Sequence, residues 1–263
     1  YGWNALKRRA EINTFSSFDS GQTYSLVLQD TSSQWVSEVS NAFAPNGNAY
    51  VVTGASKRTG KLRGHTYGQM HLFHSQDGGI TWHEPLKGSF IDWTAAAADA
   101  SNGKYRNRLY ILGYDIANDS GEWVGPRKPL IYSSDNGKTI SKPLFTGKFP
   151  DDGGGYPLAA KVNDKGYLFV LYKRDNPSGL LIALSKDGGK TLELMPVINK
   201  DSLITDRNIF NAGFDIDKSK KFNGRLYVTY AATDKGKSGI MLAYSDEIGN
   251  TWKQKIVPDY IYK

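Results

Sequence analysis

Residues Ser75 to Trp82 read SQDGGITW, and near-copies stand at Ser17 (SFDSGQTY), Ser133 (SSDNGKTI), Ser185 (SKDGGKTL) and Ser245 (SDEIGNTW). The starts at 17, 75, 133, 185 and 245 give intervals of 58, 58, 52 and 60 residues. A signature that returns at one period marks a chain assembled from repeated units, so the octet decides the architecture before any single residue is interpreted. Its fifth position is glycine in every copy: Gly21, Gly79, Gly137, Gly189 and Gly249. Glycine adopts positive φ without a Cβ clash, which is what a tight hairpin corner requires. The acid two residues earlier, Asp19, Asp77, Asp135 or Asp187, can accept hydrogen bonds from the turn's own N–H groups. The last residue, Trp82 or Trp252 in two copies, can pack back over the turn. The final copy has Glu247 in the acidic slot beside Asp246 and is expected to be the least regular.

Between the octets the same order of signals recurs. The runs NAYVVTG (48–54), NRLYILGY (107–114), GYLFVLY (166–172) and GRLYVTY (224–230) are strongly β-prone. So are QMHLFHS, KPLIYSS, GLLIALS and GIMLAYS, each leading into an octet. Rich in Val, Ile, Leu, Tyr and Phe and bounded by Gly, Asn, Asp and Pro, they read as strand after strand, with no 3.6-residue period anywhere. Four short strands per repeat, with the octet between the third and fourth, predict an all-β chain of four-stranded antiparallel blades. A partial blade is expected at residues 1–30 and whole ones at 36–88, 89–147, 155–198 and 208–257. The segment before Ser17 has room only for the third strand of its blade.

These octets resemble the Asp-box, S-x-D-x-G-x-T-W, also called the BNR repeat, of sialidase-like β-propellers and related extracytoplasmic proteins. The resemblance covers most of the chain and implies one β-propeller domain over residues 1–263. Propellers use about 4 to 8 blades; the reading here is six in full, with the chain supplying part, or five with an irregular closure. Residues 258–263 could begin the strand that completes the N-terminal blade. The resemblance implies that the boxes lie at the periphery of the face opposite the active site. Asp19, Asp77, Asp135, Asp187 and Glu247 are then structural, and any chemistry belongs to the other end. An extracytoplasmic location follows: secreted, periplasmic or cell-surface.

Composition agrees with a globular chain: 263 residues, 39% hydrophobic and 22% charged. No run approaches the roughly 18 apolar residues of a membrane span. The first residue is Tyr rather than Met, so a processed or truncated product is expected. With no cysteine there is neither a disulfide framework nor a thiolate metal site. The 33 basic and 26 acidic residues leave a net charge of +7, dispersed apart from KSKK at 218–221. That favours anionic partners while arguing against nucleic acid. A monomer is expected.

In a propeller the loops between blades crowd the mouth of the central channel. Acids recur there at Glu38, Asp92, Asp152 and Asp206, with intervals of 54, 60 and 54, in step with the repeat but outside the boxes. They predict a partial ring of carboxylates at the mouth; the alternative is that each caps its own strand entry. Asp92, Asp152, Asp206 and Arg207 are the catalytic candidates. Trp93, Tyr156 and Trp123, the last in the loop DIANDSGEWVGPRKP, offer aromatic faces for a pyranose. The loop GASKRTGKLRGHTYG supplies Lys57, Arg58, Lys61, Arg63, His65 and Tyr67. Guanidinium groups grip carboxylates through paired, charge-assisted hydrogen bonds, so a basic aromatic mouth would favour an acidic glycan.

The family pattern implies three arginines around the substrate carboxylate, a Tyr nucleophile activated by a Glu, and an Asp acid/base. Its early Arg-Ile-Pro motif has no match at the N-terminus, YGWNALKRRAEINTF. Arg108 and Arg225 each precede a Leu-Tyr pair and read as repeat framework. Two classes of function therefore stand: a glycoside hydrolase of the sialidase-like type, or a non-catalytic propeller that binds glycans or proteins.

Other chemistry is weakly signalled. His71 and His74 are three apart on a strand, on opposite faces, and do not form a metal pair. Metalloprotease, phosphate-loop and nucleophile-elbow motifs do not occur. No cofactor is expected beyond a structural Ca²⁺, to which Asp151 and Asp152 could contribute.

Overall fold

The computed structural model describes residues 2–4, 9–33, 35–36, 38–56, 68–83, 85–89, 92–117, 123–144, 155–175, 178–197, 212–219, 221–234 and 237–257. Every described element is a β-strand, and every pairing is antiparallel. The chain divides into two compact units, Tyr1–Asp99 with Tyr105–Phe145, and Ala100–Lys104 with Thr146–Lys263.

The first unit holds three sheets. One is β1 (Gly2–Asn4), β2 (Arg9–Ser16) and β3 (Ser25–Asp30), in that order. In the next, β4 (Trp35–Val36) and β5 (Ser40–Phe43) both pair with β6 (Ala49–Ser56), which is followed by β7 (Gly68–Ser75) and β8 (Leu86–Ser89). The third centres on β10 (Leu109–Ala117), flanked by β9 (Asp92–Ala98) and β12 (Leu130–Ser133), with β11 (Trp123–Arg127) on its far end. The second unit holds two regular four-stranded sheets. These are β13 (Pro157–Val162), β14 (Leu168–Asp175), β15 (Ser178–Ser185) and β16 (Glu193–Pro196), then β17 (Gly213–Ile216), β18 (Leu226–Asp234), β19 (Lys237–Ser245) and β20 (Lys253–Ile256).

Two of the apolar runs named above are buried on both faces. Ala49 to Ala55 on β6 and Leu168 to Lys173 on β14 are buried without interruption, so these strands read as continuous apolar runs rather than alternating ones. Within each unit, successive sheets pack face on face. Ala10 and Ile12 of β2 meet Val51 and Phe73, Val52 and Leu72 meet Ala96 and Ile111, and Leu171 and Ile182 meet Phe214 and Val228. Each such side chain contributes about 1.5–3 kcal/mol when fully buried.

Three details depart from the expected plan. Two strands, not one, precede Ser17, because Gly2–Asn4 is long enough to pair with the far end of β2. The fourth strand of the third sheet shrinks to a single bridge between Leu130 and Leu144. The loop that carries Trp123 is partly a hairpin: β10 runs on beyond Tyr114, and Ala117 pairs with Trp123.

Every octet turns the chain on one plan. The shared glycines have φ of 89° at Gly21, 94° at Gly79, 81° at Gly137, 91° at Gly189 and 96° at Gly249. The residue before each is also left-handed: Ser20 at 60°, Gly78 at 76°, Asn136 at 65°, Gly188 at 77° and Ile248 at 51°. Two successive positive φ values match the right-handed twist of the strands they join. The leading serine hydroxyl accepts the glycine N–H in all five, at 2.7–3.0 Å. In four it also donates to the aspartate, whose carboxylate receives the threonine N–H and hydroxyl. The last corner is thinner. Glu247 accepts from the Thr251 hydroxyl at 3.0 Å, and the Asn250 N–H turns to the Glu247 carbonyl. The indole N–H groups of Trp82 and Trp252 fold back onto the carbonyls of Gly79 and Gly249.

The glycines have a second reason to lack a side chain. A Cβ on Gly79 would lie 3.3 Å from Ser16 Oγ, one on Gly137 3.1 Å from His74 Cβ, and one on Gly249 3.0 Å from Met195 Cε. Each corner is pressed against the sheet that precedes it.

Candidate functional site

The end of a sheet opposite its octet is where the first strand enters, and there the ladders of the second, third and fourth sheets carry a surplus residue. In the second sheet, Val36 pairs with Ala55 and Ser40 with Val52, so Glu38 and Val39 belong to a connection one residue longer than the Thr53–Gly54 segment opposite. In the third, Asp92 pairs with Tyr114 and Ala95 with Leu112, so Trp93 and Thr94 oppose Gly113 alone. In the fourth, Pro157 pairs with Tyr172 and Ala159 with Leu171, leaving Leu158 extra. Bulges of this kind re-aim side chains and recur beside active sites.

The first two entries touch. Glu38 lies in the surplus segment of its sheet, and its carbonyl accepts the Thr94 hydroxyl at 2.7 Å; beside it the Ala96 N–H donates to Ser40 Oγ at 2.9 Å. Asp92 Oδ1 accepts the Trp93 N–H at 2.9 Å, the local capping that was the alternative to a ring of carboxylates. Trp93 itself sits at φ +51°. Glu38, Asp92 and Trp93 are all half-buried; Asp92 and Trp93 are joined directly, and Glu38 is linked to the same strand through its carbonyl and Thr94.

Tyr156 is placed differently. Gly155, at φ +109°, admits no side chain, since a Cβ would fall 2.3 Å from the Lys173 carbonyl oxygen. The Lys173 N–H donates to the Tyr156 carbonyl at 2.9 Å. The Tyr156 ring is only 8% exposed, with Lys173 Nζ 5.4 Å from its centroid, and Lys173 is itself 7% exposed. The buried ring faces a lysine rather than offering an open face to a sugar. Nothing in the sequence pattern singles out Lys173, which follows the hydrophobic run ending at Tyr172 and precedes Arg174 and Asp175.

Arg58, Arg63, Tyr67, Asp152, Asp206 and Arg207 lie outside the described residues, as do Asp151 and the lysines of the same basic loop; Trp123 is placed on β11. Arg108 and Arg225 are clamped at the octet ends. Arg108 lies 4.3 Å from the Tyr105 ring and 4.2 Å from Tyr132, donating to Ser134 Oγ. Arg225 lies 4.0 Å from the Phe222 ring and pairs with Asp246 at 2.6 Å.

The corner carboxylates are held ionised. The Thr23 and Ser17 donors keep Asp19 at about 2, and the corresponding donors push Asp77 below the usual carboxylate range. At Asp135 and Asp187 burial works the other way, yet the Thr139 and Thr191 bonds outweigh it and the net shift is down. A group so saturated is a poor proton donor near neutrality. His71 Nδ1 approaches Asp30 Oδ2 at 3.6 Å. Burial alone would raise the Asp30 carboxyl, but His71 and Ser32 hold it at about 2. His74 stacks on His83 with centroids 4.5 Å apart, and burial lowers its pKa. Among the described residues no three His, Asp or Glu groups converge on a metal position, and no helix is long and apolar enough to cross a membrane.

With this geometry in view, solved structures of the same fold can be set beside the chain. It is similar to the Hadza microbial sialidase Hz136, with TM-score 0.63 and 15% identity over 85% of this chain and 47% of that one. An intramolecular trans-sialidase from Ruminococcus gnavus gives TM-score 0.61 and 12% identity over 87% of this chain and 71% of that one. The α-L-arabinofuranosidase from Fusarium graminearum gives TM-score 0.53 and 14% identity over 84% and 66%. The chain spans about half the length of the Hadza sialidase. No protein-family profile and no curated protein matches the sequence. The fold is thus a sialidase-like, all-β arrangement of antiparallel sheets. The named structures include sialidases and an arabinofuranosidase, so the fold alone does not assign an activity.

Proposed function

We propose that the chain is a sialidase-like Asp-box β-propeller, six-bladed when whole, that acts outside the cytoplasm as a glycoside hydrolase on acidic, sialylated or similar glycans. The observation that carries the reading is the coincidence of a sialidase-like fold with acids in step at the sheet entries and saturated acids at the corners. In this reading Asp92, Asp152 and Asp206 supply proton transfer and charge stabilisation at the channel mouth. Arg207 holds the substrate carboxylate in a paired hydrogen bond, the geometry a guanidinium is built for. Arg58, Arg63 and Tyr67 extend the anion-binding rim, and Glu38 and Trp93 contact the sugar.

Turnover of a 4-methylumbelliferyl sialoside, abolished in Arg207→Ala, is the expected result. A second reading is a propeller that binds glycans or proteins without cleaving them. It is favoured by the commitment of Arg108 and Arg225 to aromatic clamps at the octet ends, far along their strands from the entries. No release of fluorophore from this or other aryl glycosides would leave that second reading in place.

A further inference from the structure

Among the described residues, five other than glycine have positive φ, and four of them, Ser20, Asn107, Asn136 and Ile248, lie in turns. Trp93 is the exception: it lies within a strand, at φ +51°. A bulky aromatic side chain in this region is disfavoured, and such strain persists only where the surroundings over-determine it, characteristically at ligand clamps. The pins are visible on both sides. Asp92 is fixed opposite Tyr114 and takes the Trp93 N–H on its own carboxylate, while Ala95 is fixed opposite Leu112 and Thr94 is tied to the Glu38 carbonyl. One residue fewer in β9 would restore the ladder and remove the strain. The indole remains half-exposed after all this.

We propose that Trp93 is the stacking platform for an uncharged pyranose ring of the glycan, and that the bulge exists to present it; this rests on the glycan reading above. The chemistry of the neighbours selects the ring. The Asp92 carboxylate beside it, which takes the Trp93 N–H, repels a ring bearing its own carboxylate but accepts hydrogen bonds from sugar hydroxyls. An indole face takes the apolar C–H side of the same ring. An acidic sugar would therefore sit elsewhere on the glycan, with a neutral unit on Trp93.

The experiment uses the full chain and three variants, Trp93→Phe, Trp93→Ala and Trp93→Gly, titrated by NMR with lactose and with 3′-sialyllactose. Wild type and Trp93→Phe are expected to bind lactose, and both smaller residues to weaken it about tenfold or more, a difference of about 1.4 kcal/mol. In thermal melts Trp93→Gly should exceed Trp93→Ala, the reverse of the usual order in a strand, because only glycine tolerates the left-handed backbone. Lactose affinity unchanged in Trp93→Ala, or a higher melting point for Trp93→Ala than for Trp93→Gly, overturns the proposal. Trp93-dependent lactose binding without aryl-sialoside turnover would sink the hydrolase reading and leave this one standing. Turnover with Trp93-independent binding would do the opposite, and binding of neither sugar would sink both.

Discussion

At the octet end of the sheets, five corners share one serine-to-glycine bond and four of them one saturated aspartate. At the entry end, three bulges share only their surplus residue. Glu38 fills one, Trp93 and Thr94 the next, and Leu158 the third behind an inward-facing Tyr156. A corner repeated on one plan gives a sheet its stability but no means of telling one ligand from another. Difference between repeats is what a selective site needs, and it is concentrated where the ladders are irregular.

Substitutions can strain this contrast. The largest effect is expected at an entry: Gly155→Ala forces a Cβ to within 2.3 Å of a carbonyl oxygen at φ +109° and should destabilise by about 3 kcal/mol or more. Gly47→Ala, at φ +87° with nothing within 4 Å, should lose only about 1–2 kcal/mol. Urea midpoints of the two variants measure the difference, and equal losses would show that the close approach is unimportant. At a corner, Ser185→Ala removes the acceptor for the Gly189 N–H and a donor to Asp187, with an expected loss of about 1–3 kcal/mol.

The corners should also answer to acid. The corner Asp19, and outside the corners Asp30 at the end of β3, have folded values of about 2, below an unfolded value near 3.9. Their contribution is therefore complete above about pH 4 and is lost as the pH falls from there through 2. Urea midpoints from pH 6 to 2 should decline over that window, and Asp77→Asn should begin lower and decline less. A flat profile would contradict the role given to the carboxylates. The smallest change is a gain: Glu247→Asp should restore to the last corner the serine and N–H bonds of the other four, adding about 0.5–1.5 kcal/mol.

Much of the strand plan was legible because β6, β10, β14 and β18 are rich in aliphatic and aromatic residues and the octets mark the ends of the strands that follow them. The fifth-position glycine announced a left-handed residue. The fourth position did not, because Ser20, Gly78, Asn136, Gly188 and Ile248 share the conformation without sharing a chemistry. The bulges were invisible for another reason. A surplus residue exists only relative to a partner strand, and the register between β9 and β10 cannot be counted along β9 alone. The position of Glu38 and Asp92 at sheet entries follows from their phase in the repeat, whereas the surroundings of Tyr156 include Lys173, 17 positions on. The remaining catalytic candidates, Asp152, Asp206 and Arg207, fall outside the described residues.

The press of Gly79, Gly137 and Gly249 against Ser16, His74 and Met195 has a bearing on how the chain is made. In each case the receiving surface is earlier in synthesis than the turn that lands on it. A nascent chain leaving the ribosome can seat these three hairpins on a surface already present, without waiting for anything downstream. Assembly with such a direction suits repeats whose near-identity would otherwise invite pairing between the wrong neighbours.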